Sequence, residues 1–182
     1  MDRQKTITNL TTGQTIILPL PKDEEVTLFD ESLLISETDV LGFITYTNRR
    51  YCNILGYSKK ELIGTPQSIE HHPDMPIGLY DAIQKITSSK KIWRGYVKSL
   101  CKDGRYFWSL LYVQPKVNDE NVIIGYTSTR KKAYEDAIPR ADEAYKKLQG
   151  EEYIGDSYFM GGELYLGAQL AQRGKVLCPY PF

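Results

Sequence analysis

The residues best equipped for chemistry cluster in one phrase, His71-His72-Pro73-Asp74-Met75-Pro76, which holds both histidines of the chain. Neighbouring imidazoles with a carboxylate close by can hold a bound ligand. The plainer alternative leaves both histidines at the surface and makes Asp74 the N-cap of a helix opening near Pro76. Trp93 opens a strand-like run and is either a core residue or a flat ring for stacking on a planar ligand. Cys52, Cys101 and Cys178 are widely spaced and odd in number, with no C-x-x-C pair for zinc or redox chemistry. Only Arg49 and Arg50, beside Cys52, would lower a thiol pKa, so structural burial is the better reading for Cys52 and Cys101. There is no glycine-rich phosphate loop, nucleophile elbow or paired-carboxylate pattern, and an enzyme is not expected.

These residues need a frame, and the local signals supply one. SLLISETD and LGFITYTN, separated by a turn at Asp39 to Gly42, read as two strands. Asn48 can cap a helix through NRRYCNILGY that stops at Gly56. Ser58 and Glu61 form the S-x-x-E of a capping box. Pro73 and Pro76 keep SIEHHPDMP irregular, and a helix follows with apolar residues at Leu79, Ile83 and Ile86. IWRGYVKSLCKDGR then alternates, with Trp93, Gly95, Val97 and Ser99 assigned to a buried face and Arg94, Tyr96 and Lys98 to an open one. Turns at Lys102-Asp103-Gly104 and Asp119-Glu120-Asn121 connect it to RYFWSLLYVQPKV and NVIIGYTSTRK. The order β-β-α-α-α-β-β-β predicts an α+β domain, a five-stranded antiparallel sheet with helices on one side.

The boundaries that follow are residues 1–30 as an N-terminal flanking segment with a short hairpin around Thr12-Gly13, 31–131 as the domain, 132–150 as an amphipathic packing and signalling helix, and 151–182 as a tail. Pro139 kinks or restarts that helix, and the tail carries a possible helix over Glu163–Gln172. Both parities of the 105–117 strand are apolar, and we expect Tyr106, Trp108 and Tyr112 to face outward, against the 133–149 helix or a second subunit.

Charge is balanced, with 23 Lys+Arg against 23 Asp+Glu, and no basic block favours nucleic acid or an anionic membrane. No apolar run reaches the roughly 18–20 residues of a membrane span, and the N-terminus lacks a signal-peptide pattern. With the cysteine usage, this predicts a cytoplasmic protein without direct membrane insertion.

Asn48 to Gly64 resembles the helical half of a PAS sensor domain, and Trp93 to Trp108 resembles its central hairpin. HHPDMP between them is similar to the HPDMP segment of the aerotaxis-receptor type of PAS domain, which holds flavin adenine dinucleotide (FAD) non-covalently and senses redox state. That resemblance implies FAD-binding roles for His71, His72, Asp74 and Trp93. The chain departs from the type at Gln84, where a second Trp is common, and at Ser99, where an Asn is common, which implies a looser hold on flavin. Cys52 sits in YCNILGY, outside the phrase that the covalent-flavin light sensors use, so their photochemistry is not expected. A haem-binding sensor using one of the two histidines and a cofactor-free docking module are the alternatives. The resemblance further implies a homodimer that signals by protein–protein contact to a separate membrane chemoreceptor.

Overall fold

Short-range capping fixes where the helices start. In the computed structural model, which describes residues 5–29, 33–148, 158–160 and 163–165, helix α1 (Arg49–Leu55) begins at Asn48. The Asn48 side chain accepts the Tyr51 N–H at 2.9 Å, and the helix ends on Gly56 at φ 77°. Helix α2 (Lys59–Leu62) carries both halves of the Ser58–Glu61 capping box. A 3-10 turn (Gln67–Glu70) leads into the HHPDMP segment, and helix α3 (Ile77–Ser88) follows. Pro76 itself occupies the N-cap position of α3, so Asp74 does not cap it.

The strands are β1 (Thr6–Thr8), β2 (Thr15–Ile17), β3 (Leu34–Thr38), β4 (Ile44–Thr47), β5 (Trp93–Leu100), β6 (Tyr106–Val117) and β7 (Ile123–Lys132). The first two form the expected N-terminal hairpin, and the other five form one antiparallel sheet in the order β4-β3-β7-β6-β5. This is the predicted five-stranded α+β architecture. Registers Trp93↔Val113 and Leu111↔Arg130 place these four residues on one face, the inner one, towards α1 to α3. Tyr106, Trp108, Leu110 and Tyr112 take the outer face.

Helix α4 (Ile138–Leu148) and the turn before it cover that outer face: Ala137 in the turn and Ala141 and Tyr145 on the helix join the cluster of Tyr96, Trp108 and Leu110. The Tyr145 hydroxyl donates to the Tyr96 carbonyl at 2.8 Å. Arg94 and Tyr96, expected on an open face, are therefore buried. The cover comes from the same chain, so burying this face does not require a second subunit. Pro139 lies in the first turn of α4, where its missing N–H is harmless, and residues 133–137 precede the helix rather than belong to it. Strands β8 (Tyr158–Met160) and β9 (Glu163–Tyr165) pair with each other, and β8 lies against β5. Glu163–Tyr165 is thus strand where a helix was expected, and the rest of that expected helix falls outside the described residues.

Both outer rims of the sheet are occupied. Along β4, the Ile44 N–H donates to the Thr65 carbonyl and the Gly64 N–H to the Ile44 carbonyl, each at 2.8 Å. Along β5, His71 bridges to Ser99 and the Lys98 N–H reaches the Met75 sulfur at 3.4 Å.

Candidate functional site

Between α3 and the inner face of the sheet lies a cavity of about 370 Å³. That volume is at the small end of the roughly 300–1,000 Å³ of small-molecule sites. Val97, Leu111 and Val113 form its floor and Ile83 part of its roof, while Val40, Leu41 and Gln84 stand at an exposed mouth.

Its other end is charged. Glu70 and Arg130, both buried, are ion-paired there through Glu70 Oε1 and Arg130 Nη2. Gln67 donates from Nε2 to Glu70 Oε1 at 2.6 Å and to the Tyr51 hydroxyl at 2.7 Å. Ser36 donates to Gln67 Oε1 at 3.1 Å and accepts from Arg130 Nη1 at 3.3 Å. Burial, with the Glu70 charge adding to it, drives the Tyr51 phenol far above its ordinary pKa, so it stays protonated. Glu70 Oε2, Arg130 Nε and the Tyr80 hydroxyl are buried with no hydrogen-bond partner among the described residues. Such groups normally find one. A floor of aliphatic side chains with unsatisfied donors and acceptors at one end suits a planar ligand with one polar edge.

The structure divides the residues singled out from sequence. His71, Gln84 and Ser99 line the cavity. His71 stacks on Tyr80 with ring centroids 3.5 Å apart and planes 8° from parallel. Burial first, then the Arg130 charge, lower the His71 pKa to about 3, so the imidazole is neutral. His72, Asp74 and Trp93 lie off the cavity wall. The backbone crosses the β5 rim between the two histidines, so His72, 3% exposed, points to the outer side, against the edge of Tyr106. Its Nδ1 accepts the Asp74 N–H at 3.2 Å, which leaves the proton on Nε2. Burial and the nearby Lys98 hold its pKa at about 4. Asp74 accepts from Lys98 Nζ at 2.6 Å, and that ammonium lies 4.1 Å from the centre of the Tyr106 ring. Trp93 is 1% exposed and belongs to the apolar cluster with Leu79 and Ala82 on the inner face, beside the cavity but not in its wall.

Sequence reasoning did not find Glu70, Gln67, Tyr80 or Arg130. One signal was available: Arg130 shares its parity of β7 with Ile124, Tyr126 and Ser128, and only Lys132 at the strand's end is also charged there. A buried charge there demands a partner.

Residues 34–130, more than half of the chain, match the PAS fold family. The chain belongs to the PAS family. The chain is 32% identical over 130 residues to the aerotaxis receptor of Escherichia coli, covering 71% of this chain and 26% of that protein. It is 24% identical over 100 residues to the nitrogen fixation regulatory protein of Klebsiella pneumoniae, covering 55% of this chain and 20% of that one. The chain therefore spans only about a quarter and a fifth of the length of these relatives. In three dimensions the PAS domain is similar to the light-state LOV domain of the blue-light photoreceptor Aureochrome1. The TM-score is 0.54 at 20% identity, over 65% of this chain and 91% of that one. Among the described residues no helix is long and apolar enough to cross a membrane, and no three His, Cys, Asp or Glu residues converge as a metal site.

Proposed function

We propose that this PAS domain is a cytoplasmic redox sensor that holds FAD non-covalently in the cavity between α3 and the sheet and signals to a separate protein of the chemoreceptor kind. The observation that carries the reading is the cavity's polarity: an aliphatic floor ending in buried, unsatisfied Glu70 Oε2, Tyr80 hydroxyl and Arg130 Nε. The similarity to an aerotaxis receptor supports it.

Val97, Leu111, Val113 and Ile83 would hold the faces of the ring system and exclude water from them. Glu70, Arg130 and Gln67 would meet its hydrogen-bonding edge, and Ser99 and neutral His71 would flank it. The cavity is too small to enclose a whole dinucleotide, so the remainder would leave past Gln84 and Leu41. When bound, the flavin supplies a redox couple whose reduction places extra charge and protons on the ring. The Glu70–Arg130 pair, held by Gln67 and Ser36, is the polar group placed to respond by redistributing hydrogen bonds. His72 and Asp74 support this site from behind, by fixing the segment that carries His71.

The absorption spectrum of purified protein after reconstitution with FAD tests the reading. A yellow complex with flavin bands, lost in Arg130→Met, is expected. A haem Soret band, or colourless protein that takes up no flavin, would overturn it.

A further inference from the structure

The HHPDM segment touches both faces of the sheet within a few residues. His71 stands in the cavity wall on Tyr80, with its backbone bridged to Ser99, itself a cavity residue. One residue later His72 is on the far side, wedged against Tyr106. Asp74 there grips Lys98 and Met75 caps the Lys98 N–H, so three contacts fasten the segment to β5, at Lys98 and Ser99. This outer end is also where α4 docks. Met75 belongs to the same apolar cluster as Tyr96, Ala141 and Tyr145, and the positive charge of Lys146 on α4 is felt at Asp74.

A strand rim is an unusual place for such a route. Signals that cross a sheet through its body must deform a hydrogen-bonded ladder, which resists small displacements. A segment that wraps the rim can shift as a unit by remaking a few side-chain contacts. We infer that residues 71–75 form a lever around the β5 rim, which carries a change at His71 in the cavity to the docking of α4 on the opposite face through the Asp74–Lys98 pair. The inference adds a transmission route to the proposed sensing function and rests on that reading only for the identity of the ligand.

The test measures hydrogen exchange of the α4 amides in the full chain, first without ligand. His71→Ala is expected to change α4 exchange by about fivefold, an ordinary coupling strength. The same change made in an Asp74→Asn or Lys98→Met background is expected to leave α4 exchange unaltered. His71→Phe, which keeps a flat ring on Tyr80, guards against simple unfolding and is expected to sit between wild type and His71→Ala. An α4 that ignores His71→Ala, or that responds equally with and without the Asp74–Lys98 pair, would overturn the lever. A second arm adds FAD. Binding that alters α4 exchange in wild type but not in Asp74→Asn, at equal flavin occupancy, supports the lever. Binding that leaves wild-type α4 unchanged overturns it. Failure of FAD to bind wild type would sink the flavin reading alone, because the ligand-free arm still decides the lever.

Discussion

The inner face of the sheet is divided between two apolar clusters that differ in kind. One, under α1, α2 and the N-terminal hairpin, joins Leu34, Ile44, Tyr51, Leu55, Leu62 and Phe107, all at 1% exposure or less, and it is closed. Its boundary is stitched by backbone-directed bonds. Buried Asn9, for example, donates to the carbonyls of Glu61 at 3.0 Å and Ile63 at 2.8 Å. The other cluster is open in two senses: it surrounds the cavity under α3, and it continues around the β5 rim to α4. The same sheet thus has a sealed half that holds the fold and a hollow half that can take a ligand. What separates them is the row of polar residues at Ser36, Gln67, Glu70 and Arg130.

That division is most sharply tested at the row itself. Glu70→Ala leaves Arg130 buried without its counter-charge and is expected to cost about 3–5 kcal/mol in urea unfolding. Glu70→Leu combined with Arg130→Met removes both charges and should restore most of that loss while abolishing flavin uptake. A single-variant loss below about 1 kcal/mol would mean that water already reaches the pair. The two halves should also differ under equal truncation. Leu62→Ala in the sealed half is expected to lose about 4 kcal/mol and Leu111→Ala in the cavity floor about 2, because the second merely enlarges existing space. Equal losses would erase the distinction.

Acid should act on the hollow half next. Both histidines there have folded pKa values below the ordinary 6.5, about 3 for His71 and about 4 for His72. The unfolded chain therefore binds more protons, so the stability from burying them neutral is full above pH 6.5 and declines as pH falls towards 4. For His72 alone the slope is about 1.4 kcal/mol per pH unit in that window. His72→Asn is expected to flatten the profile between pH 6 and 5 by about that amount, as measured by urea midpoints. An unchanged profile would show that His72 protonates without leaving its place. The smallest effect concerns the mouth. Gln84→Trp supplies a ring for stacking and should slow flavin loss on dialysis by a factor equivalent to about 0.5–1.5 kcal/mol. Faster loss would mean that position 84 does not face the ligand.

The sealed half was legible in sequence because its signals are local. Asn48, Gly56, Ser58 and Glu61 act on neighbours within four residues, and the structure contains each of those bonds. Turns at Gly13 and Gly104, both at positive φ, were equally readable. The hollow half depends on distant pairings. Arg130 meets Glu70 across 60 residues of sequence, and no window of neighbours shows that. Parity also misled for β5: alternation predicted one open face, but Arg94 and Tyr96 are both buried, and Tyr96 is covered by a helix whose Tyr145 lies 49 residues later and whose docking the strand itself does not encode. His71 and His72 looked like one pair because they are adjacent. An extended backbone at a sheet rim sends adjacent side chains to opposite sides.

The occupied rims of the sheet have a consequence for the protein's behaviour at high concentration. A bare strand edge is a template on which another copy can add and polymerise. Here one edge is bonded to residues 64–65 and the other is fastened to residues 71–75, in part through a thioether, which accepts the amide hydrogen but offers no donor in return. Neither segment is itself a strand that could pass the pairing outward. Oxidising Met75 or loosening its segment would therefore not only disturb the domain but release the Lys98–Ser99 end of β5 for edge-to-edge pairing with another copy.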